Sequence, residues 1–130
     1  MLDLFAGSGI MGLEAVSRGA ESVTAVELSR AQAKMIERSY KSVGAESRLR
    51  LLETNVLTLK KEVVCANGGF DLIYADPPFK DMDYPDLRPF IEWLNPGGVA
   101  VFEAPSRKLP AWADGAEVRR YGESSLLIFR

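Results

Sequence analysis

The sequence predicts an α/β fold: a doubly wound, mostly parallel sheet with an antiparallel hairpin strand near its C-terminal end. Three observations predict it. Short apolar, β-branched runs alternate with segments of helical spacing through most of the chain. A glycine-rich turn, Gly7-Ser8-Gly9, joins the first apolar run to the first helical segment. From Glu117 onward the pattern changes to two strand-like runs around Gly122-Glu123-Ser124, which reads as a hairpin.

The elements follow in order. Residues 2–5 read as a short buried strand. Ile10, Leu13 and Val16 lie at helical spacing, and Gly19 stops that helix. Val23-Thr24-Ala25-Val26 is a β-branched strand. A second helix begins at Ser29, with Gln32 three residues on as the partner of a capping box. Met35, Ile36, Tyr40 and Val43 are expected on its apolar face, and Gly44 ends it. Arg48 to Glu53 alternates as a strand does, and Val56 to Ala66 reads as a helix. The run from Phe70 reads as a buried strand, the fourth, over Asp71 to Ala75. Pro85 to Leu94 is expected to be helical, ended by Asn95-Pro96-Gly97-Gly98, and Val99-Ala100-Val101-Phe102 is the fifth strand. Glu117 to Tyr121 and Ser125 to Phe129 form the hairpin. The first strand of a doubly wound sheet is usually central, so an upstream segment is expected before residue 1.

Composition narrows the function. The length of 130 residues fits one domain, and 47% hydrophobic residues suffice for a core. No apolar run approaches the ~20 residues of a membrane helix. The start, Met1-Leu2-Asp3-Leu4-Phe5, lacks the basic region of a signal peptide. Cys65 is the only cysteine, which excludes an internal disulfide and suits a cytoplasmic setting. Without histidine there is no His-based catalytic triad, and no metal site is expected. The net charge of −2 is not the basic balance of a stand-alone nucleic-acid binder, so such contacts must be local or shared.

Two motifs carry chemistry. Gly7, Gly9 and Gly12 satisfy G-x-G-x-x-G between a strand and a helix, the Rossmann-like arrangement. Gly7 permits the tight turn, Gly9 lets a ligand approach the backbone, and Gly12 lets helix and strand pack closely. Glu27 ends the second strand, twenty residues beyond Gly7, where a carboxylate can accept from both ribose hydroxyls. These features fit a nicotinamide dinucleotide and S-adenosylmethionine alike. Asp3, near the end of the first strand, separates them: its carboxylate suits an amino-acid ammonium and would repel a pyrophosphate.

The second motif is Asp76-Pro77-Pro78-Phe79, directly after the fourth strand. Two prolines cannot continue a sheet, so the chain leaves it in a stiff turn. A carboxylate, backbone carbonyls and an aromatic face are then held at the carboxyl end of a strand, where open α/β sheets bind ligands. The group suits a planar ligand bearing an NH2: oxygens accept from the amine, and Phe79 stacks on the ring.

Asp3-Leu4-Phe5-Ala6-Gly7-Ser8-Gly9 with Gly12-Leu13-Glu14-Ala15, Val26-Glu27 and Asp76-Pro77-Pro78-Phe79 resembles the class I S-adenosylmethionine-dependent methyltransferases. Within them it resembles the bacterial RsmD family, which methylates the N2 amine of a guanine in 16S ribosomal RNA. Gly97-Gly98, Glu103, Leu109-Pro110 and Tyr121-Gly122 share in the likeness, which covers essentially the whole chain. The resemblance implies S-adenosylmethionine as cofactor, with contacts from Asp3, Phe5, Gly7, Ser8, Gly9, Gly12, Glu27, Leu28, Asn55 and Val56. It implies catalysis at Asp76, Pro77, Pro78 and Phe79, with no metal. The implied partner is 16S ribosomal RNA or the small ribosomal subunit, met by a cytoplasmic monomer without membrane contact. Ser29 stands where the family often has aspartate, and Asn55 where many class I enzymes have an acidic residue near the adenine. The resemblance also implies an N-terminal segment before the first strand, with basic residues and part of the active-site cover, which residues 1–130 do not include.

The expected reaction is an in-line transfer of the sulfonium methyl to the nitrogen, with Asp76 and the Pro77 carbonyl orienting the amine. Lys80 and Arg107/Lys108 are the best-placed phosphate contacts, although Asp81, Asp83 and Asp86 crowd Lys80. Arg48/Arg50, Lys60/Lys61 and Arg119/Arg120 fit a solvated surface, and Trp93 and Trp112 fit packing. The rival readings are a DNA adenine-N6 methyltransferase, a protein glutamine methyltransferase, a nicotinamide-dependent oxidoreductase, and a truncated cofactor-binding domain without turnover. The oxidoreductase gives no reason for Asp76-Pro77-Pro78-Phe79.

Overall fold

The computed structural model describes residues 1–78 and 84–130. Phe79, Lys80, Asp81 and Asp83 lie outside the described residues, and with them the expected stacking ring and the Lys80 phosphate contact. The chain divides into two compact units, Met1–Val64 and Cys65–Arg130.

The first unit holds β1 (Leu2–Asp3), α1 (Ile10–Ser17), β2 (Val23–Val26), α2 (Arg30–Ser42), β3 (Leu49–Leu52) and α3 (Lys61–Val64). β2 pairs in parallel with β1, Asp3 opposite Ala25, and with β3, Val26 opposite Leu52. Each parallel pair is joined by a helical crossover, as parallel pairing requires. β2 is buried along its whole length. Ala6, Val23, Ala25, Ile36, Tyr40 and Ala45 form the core, with Leu13, Val16, Leu49 and Leu51 packed against it. Full burial of an aliphatic side chain such as Ile36 is worth about 1.5–3 kcal/mol.

The expected apolar faces shift in detail. β1 is only two residues long, because Leu4 and Phe5 already belong to the turn. Ile10 is 66% exposed, and Gly12 is the buried position of α1. Two helical steps turn about 200°, so Ile10 points away from the face that Gly12 lays on the core. On α2 the buried residues are Ala33, Ile36 and Tyr40, at steps of three and four. Met35 lies about 100° from that stripe and is exposed. Val43 is the C-cap, where the helical path has stopped, and is exposed too. The expected helix from Val56 to Ala66 breaks into a 3-10 turn, Val56–Thr58, and the single turn of α3. Asn55 Oδ1 accepts from Leu57 N–H, and Thr58 Oγ1 donates to the Asn55 carbonyl. The first bond caps the 3-10 turn, and the interruption follows it at Leu59, where the backbone turns extended (φ −66°, ψ 141°) before α3.

The second unit holds β4 (Phe70–Ala75), β5 (Leu94–Pro105), β6 (Glu117–Tyr121) and β7 (Ser124–Phe129). β4 and β5 are parallel, whereas β7 pairs antiparallel with both β5 and β6. The hairpin turns at Gly122, whose φ of 61° favours glycine. Segment 85–94 is not an α-helix: it carries a 3-10 turn, Arg88–Trp93, containing Pro89. Asn95-Pro96-Gly97-Gly98 does not precede β5 but interrupts it. Leu94 pairs with Phe70, the register shifts, and Val99 pairs with Leu72. Ile73, Ala75, Ala100, Phe102 and Leu127 are fully buried. Trp112 packs against Phe102 and Phe129, with ring centroids 6.1 and 6.2 Å away, and Phe90 meets Trp93 edge-on at 4.7 Å. Among the described residues no helix is long and apolar enough to cross a membrane.

Candidate active site

The glycine loop lies in the first unit. Gly7 (φ 57°) and Gly9 (φ 80°) both take the left-handed conformation, which other residues adopt only with strain. Gly12 is required for a different reason: a Cβ there would fall 2.3 Å from Tyr40 Oη and 3.0 Å from Val23 Cγ1. The absent side chain lets α1 close on β2 and α2, as the third glycine of the motif should. Ser8 is exposed at the tip of the loop, and Phe5 is half-buried. α1 begins after Gly9 without a side-chain cap, so the helix N-terminus is open toward the loop.

Asp3 is buried at the end of β1. Its charge adds to the larger effect of burial and pushes the Tyr40 phenol up to about 12. The Tyr40 hydroxyl is buried with no hydrogen-bond partner among the described residues.

Glu27 stands at the carboxyl end of β2. Gly7 N–H donates to its Oε1 at 2.8 Å, and Ser29 N–H donates to its Oε2 at 2.7 Å. The carboxylate is therefore a brace for the glycine loop as well as a group at the strand end. Each oxygen keeps further accepting capacity. Ser29 Oγ accepts from Gln32 N–H at 3.3 Å, so the serine caps α2. The capping box is half formed, because the Ser29 amide is turned to Glu27. Leu28, next to Glu27, is 68% exposed. At the end of β3 Val56 is buried and Asn55 exposed. Asn55 Oδ1 accepts from Leu57 N–H in the cap, which leaves the exposed side chain its NH2 and a second lone pair on the oxygen.

The Asp76-Pro77-Pro78 turn lies in the second unit, directly after β4. Asp76 and Pro78 are exposed and Pro77 is buried. Asp76 and Pro77 line a cavity of about 420 Å³, together with Glu103, Pro105, Arg107 and Ser124. Glu103, on β5, is fixed within it. Tyr74 Oη donates to Glu103 Oε2, and Ser124 Oγ donates to Glu103 Oε1 at 3.1 Å. Tyr84 Oη donates to the Glu103 carbonyl at 2.5 Å. Burial first, then the charges of Asp76 and Glu103, push the Tyr84 phenol far up, so it remains a donor at neutral pH.

Tyr74 and Tyr84 escaped the sequence reading, and Glu103 was noted there only as part of a likeness. A carboxylate inside the apolar run Val99-Ala100-Val101-Phe102-Glu103-Ala104 was the available signal. Several guanidiniums are already engaged. Arg48 donates to the Ala20 carbonyl, Arg50 to that of Val64 and Arg120 to that of Ser106, and Arg119 pairs with Glu117. Arg107 reaches the cavity, and Lys108 is exposed beside it.

The chain is similar to known methyltransferases. An uncharacterized methylase of Rickettsia prowazekii is 25% identical over an alignment covering the whole chain and 75% of that protein. Ribosomal RNA small subunit methyltransferase D of Buchnera aphidicola is 33% identical over 60% of the chain, and the match spans only 39% of that enzyme. The crystal structure of the ribosomal protein L11 methylase from Lactobacillus delbrueckii superposes on 99% of the chain and 68% of its own, with a TM-score of 0.78 and 26% identity. The family described as conserved hypothetical protein 95 matches residues 1–130, and the chain belongs to it, with the α/β fold of the class I methyltransferases.

Proposed function

We propose that residues 1–130 form one S-adenosylmethionine-dependent methyltransferase domain that modifies the N2 amine of a guanine in 16S ribosomal RNA. The observation that carries this reading is the Asp76-Pro77-Pro78 turn, which ends β4 at a cavity rich in acceptor oxygens. The match to a small-subunit RNA methyltransferase supports the substrate class.

The first unit fits the cofactor. Glu27, braced by two amides, has lone pairs left for a ribose diol. Leu28 and Leu57 offer exposed apolar surface after β2 and β3 for an adenine, with the Asn55 NH2 to donate to a ring nitrogen. Asp3 supplies a carboxylate for an ammonium, and Gly7 and Gly9 admit close approach to the backbone. Phe5, Ser8, Gly12 and Val56 complete this half.

When bound, the cofactor supplies an electrophilic methyl on a sulfonium, which needs neither metal nor covalent intermediate. The chain's work is then positioning. Asp76 and the Pro77 carbonyl accept from the NH2 group, hold its lone pair in line, and stabilise the positive charge that grows on nitrogen. Pro77 and Pro78 keep these acceptors stiff. Phe79 stacks on the splayed base.

The test is transfer of labelled methyl to unmodified small ribosomal subunits and, separately, to DNA, with products identified as nucleosides. N2-methylguanosine from the subunits alone is expected. N6-methyladenine from DNA would replace the substrate, and cofactor binding without any transfer would reduce the chain to a binding domain.

A further inference from the structure

We propose that Glu103 is the specificity-determining residue that selects guanine, by accepting a hydrogen bond from guanine N1–H. The inference rests on reading the Asp76 cavity as the acceptor-base site, and it adds a residue to that site.

Glu103 has the geometry of a recognition group. It lines the same cavity as Asp76 and is only partly buried, so a ligand in the cavity can reach it. Its two oxygens accept from hydroxyls on different strands, Tyr74 on β4 and Ser124 on β7. A third hydroxyl, Tyr84, holds its backbone carbonyl. Three anchors fix both backbone and head group, while each carboxylate oxygen retains capacity for another donor.

The chemistry then chooses the base. The Watson–Crick edge of guanine presents N1–H and N2–H2 side by side, both donors. Adenine presents an N6 amine beside N1, a bare acceptor. Asp76 alone accepts an exocyclic amine from either base. A second carboxylate lining the same cavity accepts from guanine N1–H and faces the adenine N1 lone pair with no hydrogen between them. Glu103 therefore supplies the discrimination that the Asp-Pro-Pro turn lacks. A well-placed polar pair of this kind separates bases by roughly 1–3 kcal/mol, or about 5- to 150-fold.

The test is an NMR titration of the whole chain with guanosine, adenosine and 2,6-diaminopurine ribonucleoside monophosphates, using wild type and Glu103→Gln. The last nucleotide keeps the N2 amine but carries a bare N1. For wild type we expect the guanosine nucleotide to shift the Glu103 and Ser124 amides at about one-tenth the concentration that the other two require. For Glu103→Gln, whose amide can donate to a bare N1, guanosine affinity should fall about 10-fold and diaminopurine should overtake it. Should Glu103→Gln not fold, Tyr74→Phe removes one anchor, retains the charge, and should lower guanosine affinity about threefold. Equal binding of guanosine and adenosine by wild type, or unchanged selectivity in the variants, overturns the assignment. Methyl transfer to small subunits separates this from the parent reading. Wild type that makes N2-methylguanosine beside an equally selective Glu103→Gln removes Glu103 alone. Guanosine-selective wild type that transfers no methyl keeps Glu103 and removes the activity.

Discussion

The Gly7 amide donates to Glu27 Oε1 at 2.8 Å, across twenty residues of sequence, while the other oxygen of the same carboxylate takes the Ser29 amide. One side chain at the end of β2 thus sets the glycine loop on one side and the entry to α2 on the other. The loop needs such a brace, because Gly7 and Gly9 leave it little conformational restriction of its own. Glu27 has a structural duty that would persist with no ligand bound.

Replacing Glu27 by glutamine separates the two duties. The new side chain keeps its length but has one accepting oxygen, so its NH2 must face an N–H of either Gly7 or Ser29. One donor loses its partner, and stability should fall by about 1–3 kcal/mol in chemical denaturation. Affinity for S-adenosylmethionine, read by calorimetry, should fall about 10-fold or more, equivalent to ~1.4 kcal/mol. A variant that loses stability but binds the cofactor normally would leave Glu27 as a brace only.

Gly12 is constrained by packing. An alanine Cβ there would sit 2.3 Å from Tyr40 Oη, so the Tyr40 side chain or one of the helices must shift. Gly12→Ala should cost about 1–3 kcal/mol, the usual range for overpacking. Adding Tyr40→Phe removes the clashing oxygen and should recover part of the loss, since contacting sites are not additive. Equal losses with and without the second change would place the strain at Val23 instead.

Tyr40→Phe alone should not destabilise the fold. The phenol oxygen is buried and makes no hydrogen bond among the described residues, so removing it should leave stability unchanged or raise it by about 1 kcal/mol. The pH dependence has a definite sign. Burial and then Asp3 hold the folded phenol at about 12, against 10.0 for an ordinary tyrosine. Between those values the unfolded chain releases the proton and the folded chain keeps it, so stability falls as pH rises from 10 to 12. Tyr40→Phe should flatten that fall, leaving the part due to Tyr84, whose phenol is raised as well. An unchanged alkaline slope would contradict this account.

What the sequence conveyed, and what it did not, has a physical division. β2, the Ser29 cap and the Gly122 turn were legible because each is decided by residues close in sequence. The Asp-Pro-Pro turn was legible because proline excludes continuation of the sheet. The break at Leu59 was not: residues of helical spacing continue through it, yet the backbone turns extended between the 3-10 turn and α3. The irregularity in β5 was missed because turn-forming residues there interrupt a strand that resumes in a shifted register. Tyr74 and Glu103 could not have been paired, since they stand 29 residues apart and their contact depends on how β4 and β5 align. The constituents of the candidate site were thus readable one by one, and their connections were not.

Asp76 gives the most direct check on the proposed chemistry. Asp76→Asn preserves size and leaves the Pro77-Pro78 turn intact, but it removes the charge and replaces one acceptor oxygen by a donor. The amine then loses its strongest acceptor and the charge developing on nitrogen loses its counter-charge. Loss of one such preorganised polar group typically lowers turnover by about 100- to 1,000-fold, and that is the expected fall in kcat. Cofactor affinity should stay within about twofold, since the residues assigned to the cofactor all lie elsewhere in the chain. Single-turnover transfer from labelled S-adenosylmethionine, beside calorimetric binding, reads both quantities. If Asp76→Asn keeps near-normal transfer, the amine is oriented by other groups, and the Asp-Pro-Pro turn is a strand ending with no part in the reaction.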